Sequence, residues 1–227
     1  MACIEKIYSV SALMGNGACN AHCDFCAGKI HRRYSPKKDG DLDEELVKKT
    51  LTDCYYAGAR SLSLTSSGEP TLSPVSVSRV LEIVHDLSFR GLDFPKINLY
   101  SNGIRIGQDE EFCQTYLGLW KRLGLTSVYI TVHDLDERRN AEIYRINKYP
   151  SLQTVFDNIH GADLSVRSNI VLSKKNIGDF KRFKEMVEGL FDLGSDFISA
   201  WPIRDDNDEV NLDLAPNKEE LTRMGGL

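Results

Sequence analysis

Residues 7–26 read IYSVSALMGNGACNAHCDFC. Residues 7–14 look like a first strand, ended by the turn Gly15-Asn16-Gly17. Directly behind it stand Cys19, Cys23 and Cys26, spaced C-x3-C-x2-C, with Phe25 just before the last. Three thiolates on one short loop can hold three corners of a metal cluster. They leave the fourth corner without a protein ligand. An iron with an open position is a reactive site, not a structural rivet.

Further strands are expected at residues 60–65, with Leu62 and Leu64 inward, and at 96–100, 127–133, 164–172 and 196–201. Helices are expected at 43–58, 74–89, 109–123, 136–146, 152–160 and 177–193, with another beginning at 217–224. In the first of these, Leu46, Val47, Leu51, Cys54 and Tyr55 fall near one face at helical spacing. Strands alternating with helices of this length imply right-handed crossovers and a parallel sheet. Six such units fit either a flat, doubly wound sheet or a curved, partly closed barrel. In both, ligands bind at the C-terminal ends of the strands. The cysteine loop, Gly68-Glu69-Pro70 and Ser101-Asn102-Gly103 all fall at such ends.

The chain has 227 residues, enough for one large domain, with 41% hydrophobic residues for a core. The net charge of −5 argues against a duplex-binding role, which wants a basic face. No signal core or membrane-length apolar stretch is visible. The expected setting is the cytoplasm, with reduced thiols. Six cysteines occur in all, and half crowd one loop, so a disulfide framework is the wrong reading. A structural zinc closed by His22 or His31 is an alternative, but such sites usually pair two C-x2-C or H-x3-H elements. Cys54 and Cys113 stand alone in helical stretches and read as core residues, not ligands.

The cysteine spacing, with aromatic Phe25 in the penultimate position, resembles the signature of the radical S-adenosylmethionine (radical SAM) superfamily. The resemblance extends over residues 7–202 as six βα units with several secondary motifs in order. It implies a single core domain over residues 1–227, open to a C-terminal extension, folded as an α/β partial (βα)6 TIM-like barrel of parallel strands. It implies that Cys19, Cys23 and Cys26 hold a [4Fe–4S] cluster whose open iron binds S-adenosylmethionine. An electron from the cluster then cleaves that cofactor to a 5′-deoxyadenosyl radical, which abstracts hydrogen from a substrate. Gly68 and Glu69 are similar to the family's Gly-Gly-Glu segment, which receives the cofactor's ammonium; Ser67 replaces the first glycine. Ser101 and Asn102 resemble a ribose-contacting segment. Thr131 matches a hydroxyl position near the cofactor, Arg167 a partner for its carboxylate, and Phe25 a neighbour of adenine. The implied partners are a small-molecule or peptide substrate and an electron donor such as flavodoxin or ferredoxin, with no membrane and no nucleic acid. A non-enzymatic zinc-binding or interaction domain on an α/β scaffold is the alternative from another class.

Other residues keep two readings. The basic run Lys29, His31, Arg32, Arg33, Lys37 and Lys38 could meet an anionic substrate or form a solvated loop balanced by Asp39 and its acidic neighbours. His133, at a strand end, could be a proton donor or a satisfied structural histidine. Asn169 accompanies Arg167 in its strand, and Tyr100 and Trp201 could line the cavity.

Overall fold

The computed structural model describes residues 6–26, 28, 35–36, 38–205, 207 and 209–225. Six strands form one sheet: β1 (Ser9–Leu13), β2 (Ser61–Thr65), β3 (Lys96–Ser101), β4 (Ser127–Val132), β5 (Ser165–Leu172) and β6 (Phe197–Pro202). Every pair is parallel, and the spatial order is β1-β2-β3-β4-β5-β6. That order decides between the two architectures. A doubly wound sheet reverses direction at a switch point. Here each crossover steps the same way, so the sheet is a partial barrel with β1 and β6 at its two ends.

The helices are α1 (Glu44–Tyr56), α2 (Pro74–Ser88), α3 (Ile104–Gln108), α4 (the consecutive pieces Glu110–Phe112, Cys113–Leu117 and Gly118–Arg122), α5 (Glu137–Tyr144), α6 (Leu152–His160), α7 (Phe180–Asp192) and α8 (Lys218–Met224). Side-chain caps set their starts. Asp43 accepts from Leu46 N, Asp136 from Arg138 and Arg139 N, and Asp179 from Arg182 N. The Asp179 cap delays α7 to Phe180, three residues after the expected start. Two short elements have no counterpart among the expected ones: the 3-10 turn Pro70–Leu72 and α3. Asp39 is not part of a solvated charge balance. Its carboxylate accepts from Val75 N, Ser76 N and Ser76 Oγ at the start of α2.

The two faces of the sheet differ in kind. Leu62, Leu64, Ile97, Leu99, Val128, Ile130, Val132, Val166, Ile170 and Leu172 are buried in the core shared with the helices. The alternate residues, which point the other way, include Ser63, Tyr100, Tyr129, Thr131, Arg167, Asn169 and Ser199, all partly exposed. The concave face is therefore polar, where closed barrels of this type carry branched apolar layers.

In α1, Leu51 is buried and Val47, Cys54 and Tyr55 pack against the core, but Leu46 is 59% exposed. At about 100° per residue, Leu46 sits well round from the stripe that Val47 and Leu51 define. Leu64→Ala is expected to cost about 2–5 kcal/mol, and Leu46→Ala less than about 0.5 kcal/mol. Denaturant midpoints of the two variants check the contrast.

Candidate functional site

The turn after β2 is shaped by a close approach. Gly68 lies against the main-chain oxygens of Gly17 and Ala18, and a side chain there would collide with both. Glu69 N donates to Ala18 O at 2.8 Å, fastening the turn to the cysteine loop. The Glu69 side chain is 2% exposed. Its Oε1 accepts from Thr71 N (3.1 Å), Thr71 Oγ1 (2.8 Å) and Ser101 Oγ (2.8 Å), and its Oε2 accepts from Asn102 N (2.8 Å). Burial raises the pKa of this carboxyl, and the four donors oppose that shift.

Ser101 and Asn102 are likewise turned into the protein. Ser101 Oγ also accepts from Gly103 N at 3.0 Å. Asn102 Oδ1 accepts from Ile104 N at 3.0 Å, and its Nδ2 donates to Asn20 Oδ1 at 2.8 Å, with Cys19 Sγ at 3.9 Å. These side chains brace the cysteine loop against the ends of β2 and β3. The Glu69 carboxylate serves the same bracket, while Gly68 remains partly exposed.

Cys19, Cys23 and Cys26 form no disulfide and are of intermediate exposure. Gly28 lets Ser67 O and Cys26 Sγ close in on it, at 2.6 and 3.4 Å from where a Cβ would stand. A donor set of three thiols on one loop, backed by two strand-end turns, suits a cluster. Among the described residues, no three His, Cys, Asp or Glu side chains come together to hold a single metal ion. His22 offers its main-chain N–H, which donates to Tyr144 O at 2.8 Å. His31 and most of the basic run lie outside the described residues. Cys113 donates to Ile106 O at 3.1 Å, and burial pushes its thiol up to about 11. Cys54 packs against the core.

On the concave face, Arg167 stands next to Tyr129 and Phe197 in register, and Thr131 next to Asn169. The Arg167 guanidinium lies 4.9 Å from the Tyr129 ring centroid and reaches Tyr129 Oη and Ser199 Oγ, each at 3.3 Å. Those partners are neutral. Asn169 accepts from Ser199 Oγ. The Tyr100 and Tyr129 rings meet at a tilt of 59° with centroids 4.8 Å apart, and Trp201 is exposed on β6.

Phe25 packs its ring on the edge of His133, with centroids 5.5 Å apart, and Tyr144 meets that imidazole at 4.8 Å. His133 is 1% exposed, and neither ring nitrogen has a hydrogen-bond partner. Burial pulls its pKa down to about 4. It is a neutral, packed imidazole. Neighbouring Asp134 is buried and pairs with Arg182 at 2.8 Å and Arg139 at 3.7 Å. Beside Phe25 opens a cavity of about 770 Å³, walled by Asp24, Arg138, Arg139, Arg145, Lys175 and Asn176 among others. Its volume suits a small-molecule ligand.

Four contributors carried no local sequence signal: Asn20, Tyr144, Arg145 and Tyr149. Tyr144 Oη donates to Thr131 O (2.8 Å), Tyr149 Oη to Asn102 O (2.9 Å), and the two rings stack 5.3 Å apart. Arg145, in the left-handed region at φ 53°, pairs with Asp24 at 2.6 Å. The Tyr149–Asn102 and Arg145–Asp24 contacts join residues over 40 apart in sequence, out of reach of any spacing pattern.

The His133 shift sets a pH dependence. The folded state holds the imidazole neutral while the unfolded chain titrates near 6.5, so stability is lost as pH falls from about 6.5 toward 4. The wild-type melting temperature should drop more between pH 7 and pH 5 than that of His133→Phe. Equal drops would remove His133 as a cause.

Similarity to known proteins agrees with this geometry. The profile of the Radical SAM superfamily matches residues 15–209. GTP 3',8-cyclase from Actinobacillus succinogenes is 27% identical over 189 residues, covering 81% of this chain and 51% of that protein. The chain thus spans about half the length of the curated relatives it matches. A radical SAM methyltransferase from Sphaerobacter thermophilus superposes with TM-score 0.64 at 13% identity, over 96% of this chain and 61% of that one. The anSMEcpe protein with bound AdoMet superposes with TM-score 0.58 at 14% identity, over 87% and 53%. With a strand-end thiol loop, a singly wound parallel sheet and a profile match across most of its length, the chain belongs to the radical SAM superfamily.

Proposed function

We propose that this chain is a radical SAM enzyme core that acts on a small-molecule or peptide substrate. The observation that carries the reading is the cysteine loop itself: three thiols on one loop, which main-chain and side-chain hydrogen bonds at Ala18 and Asn20 fasten to the turns after β2 and β3. Cys19, Cys23 and Cys26 would hold a [4Fe–4S] cluster. When bound, that cluster and S-adenosylmethionine supply reductive cleavage of the sulfonium bond and a 5′-deoxyadenosyl radical.

The chain's own residues supply position. The exposed edge of the Gly68 turn is the proposed receiver of the cofactor's ammonium, backed by the immobilised Glu69. Arg167, whose partners are hydroxyls and a ring face, is the proposed partner of the cofactor's carboxylate, where a charge-assisted pair is stronger than its present contacts. Thr131, on the same face, is the proposed hydroxyl beside it. Phe25 forms a wall of the 770 Å³ cavity and is the proposed neighbour of adenine. Ser101 and Asn102 enter as braces. An electron donor such as flavodoxin or ferredoxin would reduce the cluster. Among the described residues, no helix is long and apolar enough to cross a membrane.

Anaerobic reconstitution with iron and sulfide, followed by dithionite and S-adenosylmethionine, should yield 5′-deoxyadenosine. A protein that takes up iron and sulfide yet forms none would refute the activity. Cys19→Ser, Cys23→Ser and Cys26→Ser should each lose cluster iron, while Cys54→Ser and Cys113→Ser keep it. Arg167→Gln should leave iron content unchanged and weaken S-adenosylmethionine binding about tenfold to hundredfold, the loss of one charge-assisted contact of about 1.5–3 kcal/mol. Unchanged affinity by equilibrium dialysis would remove Arg167 from the cofactor site.

A further inference from the structure

Asn102 is fixed at every polar atom. Its N–H is on Glu69 Oε2 (2.8 Å) and its main-chain oxygen accepts from Tyr149 Oη (2.9 Å). Its Oδ1 accepts from Ile104 N (3.0 Å). That last bond sets the amide's orientation, because a reversed amide would bring two N–H groups face to face. The amide nitrogen then has two hydrogens to place. One goes to Asn20 Oδ1 at 2.8 Å, and the other faces Cys19 Sγ at 3.9 Å, within reach of a sulfur acceptor. The residue is 8% exposed, so water does not compete freely for that second hydrogen.

We infer that Asn102, held by Glu69 and Tyr149, is a positioning residue that directs an N–H at the Cys19 sulfur and raises the reduction potential of the cluster this loop carries. The inference rests on the radical SAM reading. The physical reason is charge. Reduction adds an electron to a cluster whose negative charge is spread over its sulfurs, and a donor aimed at one of them favours the reduced form. Glu69 acts by holding Asn102 N, so the turn after β2 reaches Cys19 through the turn after β3.

The test is an EPR-monitored redox titration of reconstituted protein without S-adenosylmethionine. Asn102→Ala deletes the donor. Asn102→Asp also deletes it, but keeps the side-chain shape and an acceptor for Ile104 N. Both should titrate at a more negative midpoint than wild type, with iron and sulfide content retained. Asn20→Ala, which frees the other amide hydrogen and leaves the one on Cys19, should stay at or above the wild-type midpoint. An Asn102→Ala midpoint equal to wild type on a fully loaded protein would overturn the inference. So would loss of the cluster in both Asn102 variants, which would show a purely structural role. A wild-type protein that assembles no iron–sulfur cluster would instead sink the parent reading, and this one with it.

Discussion

A carboxylate taken out of water must be met by donors or it destabilises the fold. Glu69 is met by four, drawn from its own turn and from the end of β3. Its main-chain N–H reaches Ala18 at the same time. The loops after β1, β2 and β3 are thereby one hydrogen-bonded object, not three neighbours. Removing the carboxylate would orphan Thr71, Ser101 and Asn102 together, and such networks lose more than the sum of their pairs.

The loop is also gripped from the other side. Tyr144, at the end of α5, takes the His22 N–H on its carbonyl and donates its hydroxyl to Thr131 O. Burial raises its pKa well above the usual phenol range, and nearby Tyr149 adds to the shift. Phe25, His133 and Tyr144 form an edge-to-face aromatic run behind the loop. A neutral imidazole belongs in such a place; a protonated one would need an anion that the packing does not offer. His133 is thus read from its environment as packing, and the proton-donor alternative has no geometry to support it.

The barrel was legible because its grammar is local. Strand and helix periods, Asp and Asn caps and glycine stops all act within a few residues, and five of the six strand spans agree to within a residue at either end. The first strand is shorter than expected, Ser9–Leu13 against 7–14. The thiol triad was legible for the same reason, being eight residues long. The hydrogen bonds that tie Glu69, Ser101 and Asn102 to one another and to the cysteine loop were not. Residue type told that polar groups stood at strand ends, but not whether they faced a ligand or each other. That choice depends on contacts such as Asn102 with Asn20, 82 residues apart. Leu46 failed for a simpler reason: a one-residue offset on a helix is about 100°, more than a quadrant.

The sheet keeps its cohesion on one side only. Its branched side chains lie between strands and helices, while hydroxyls, amides, two touching phenol rings and a guanidinium cover the hollow. The hollow therefore contributes little to holding the strands in place. Side chains there can be exchanged to suit a different molecule while the scaffold that presents the sulfurs stands unaltered, so retargeting this fold is decoupled from keeping it folded.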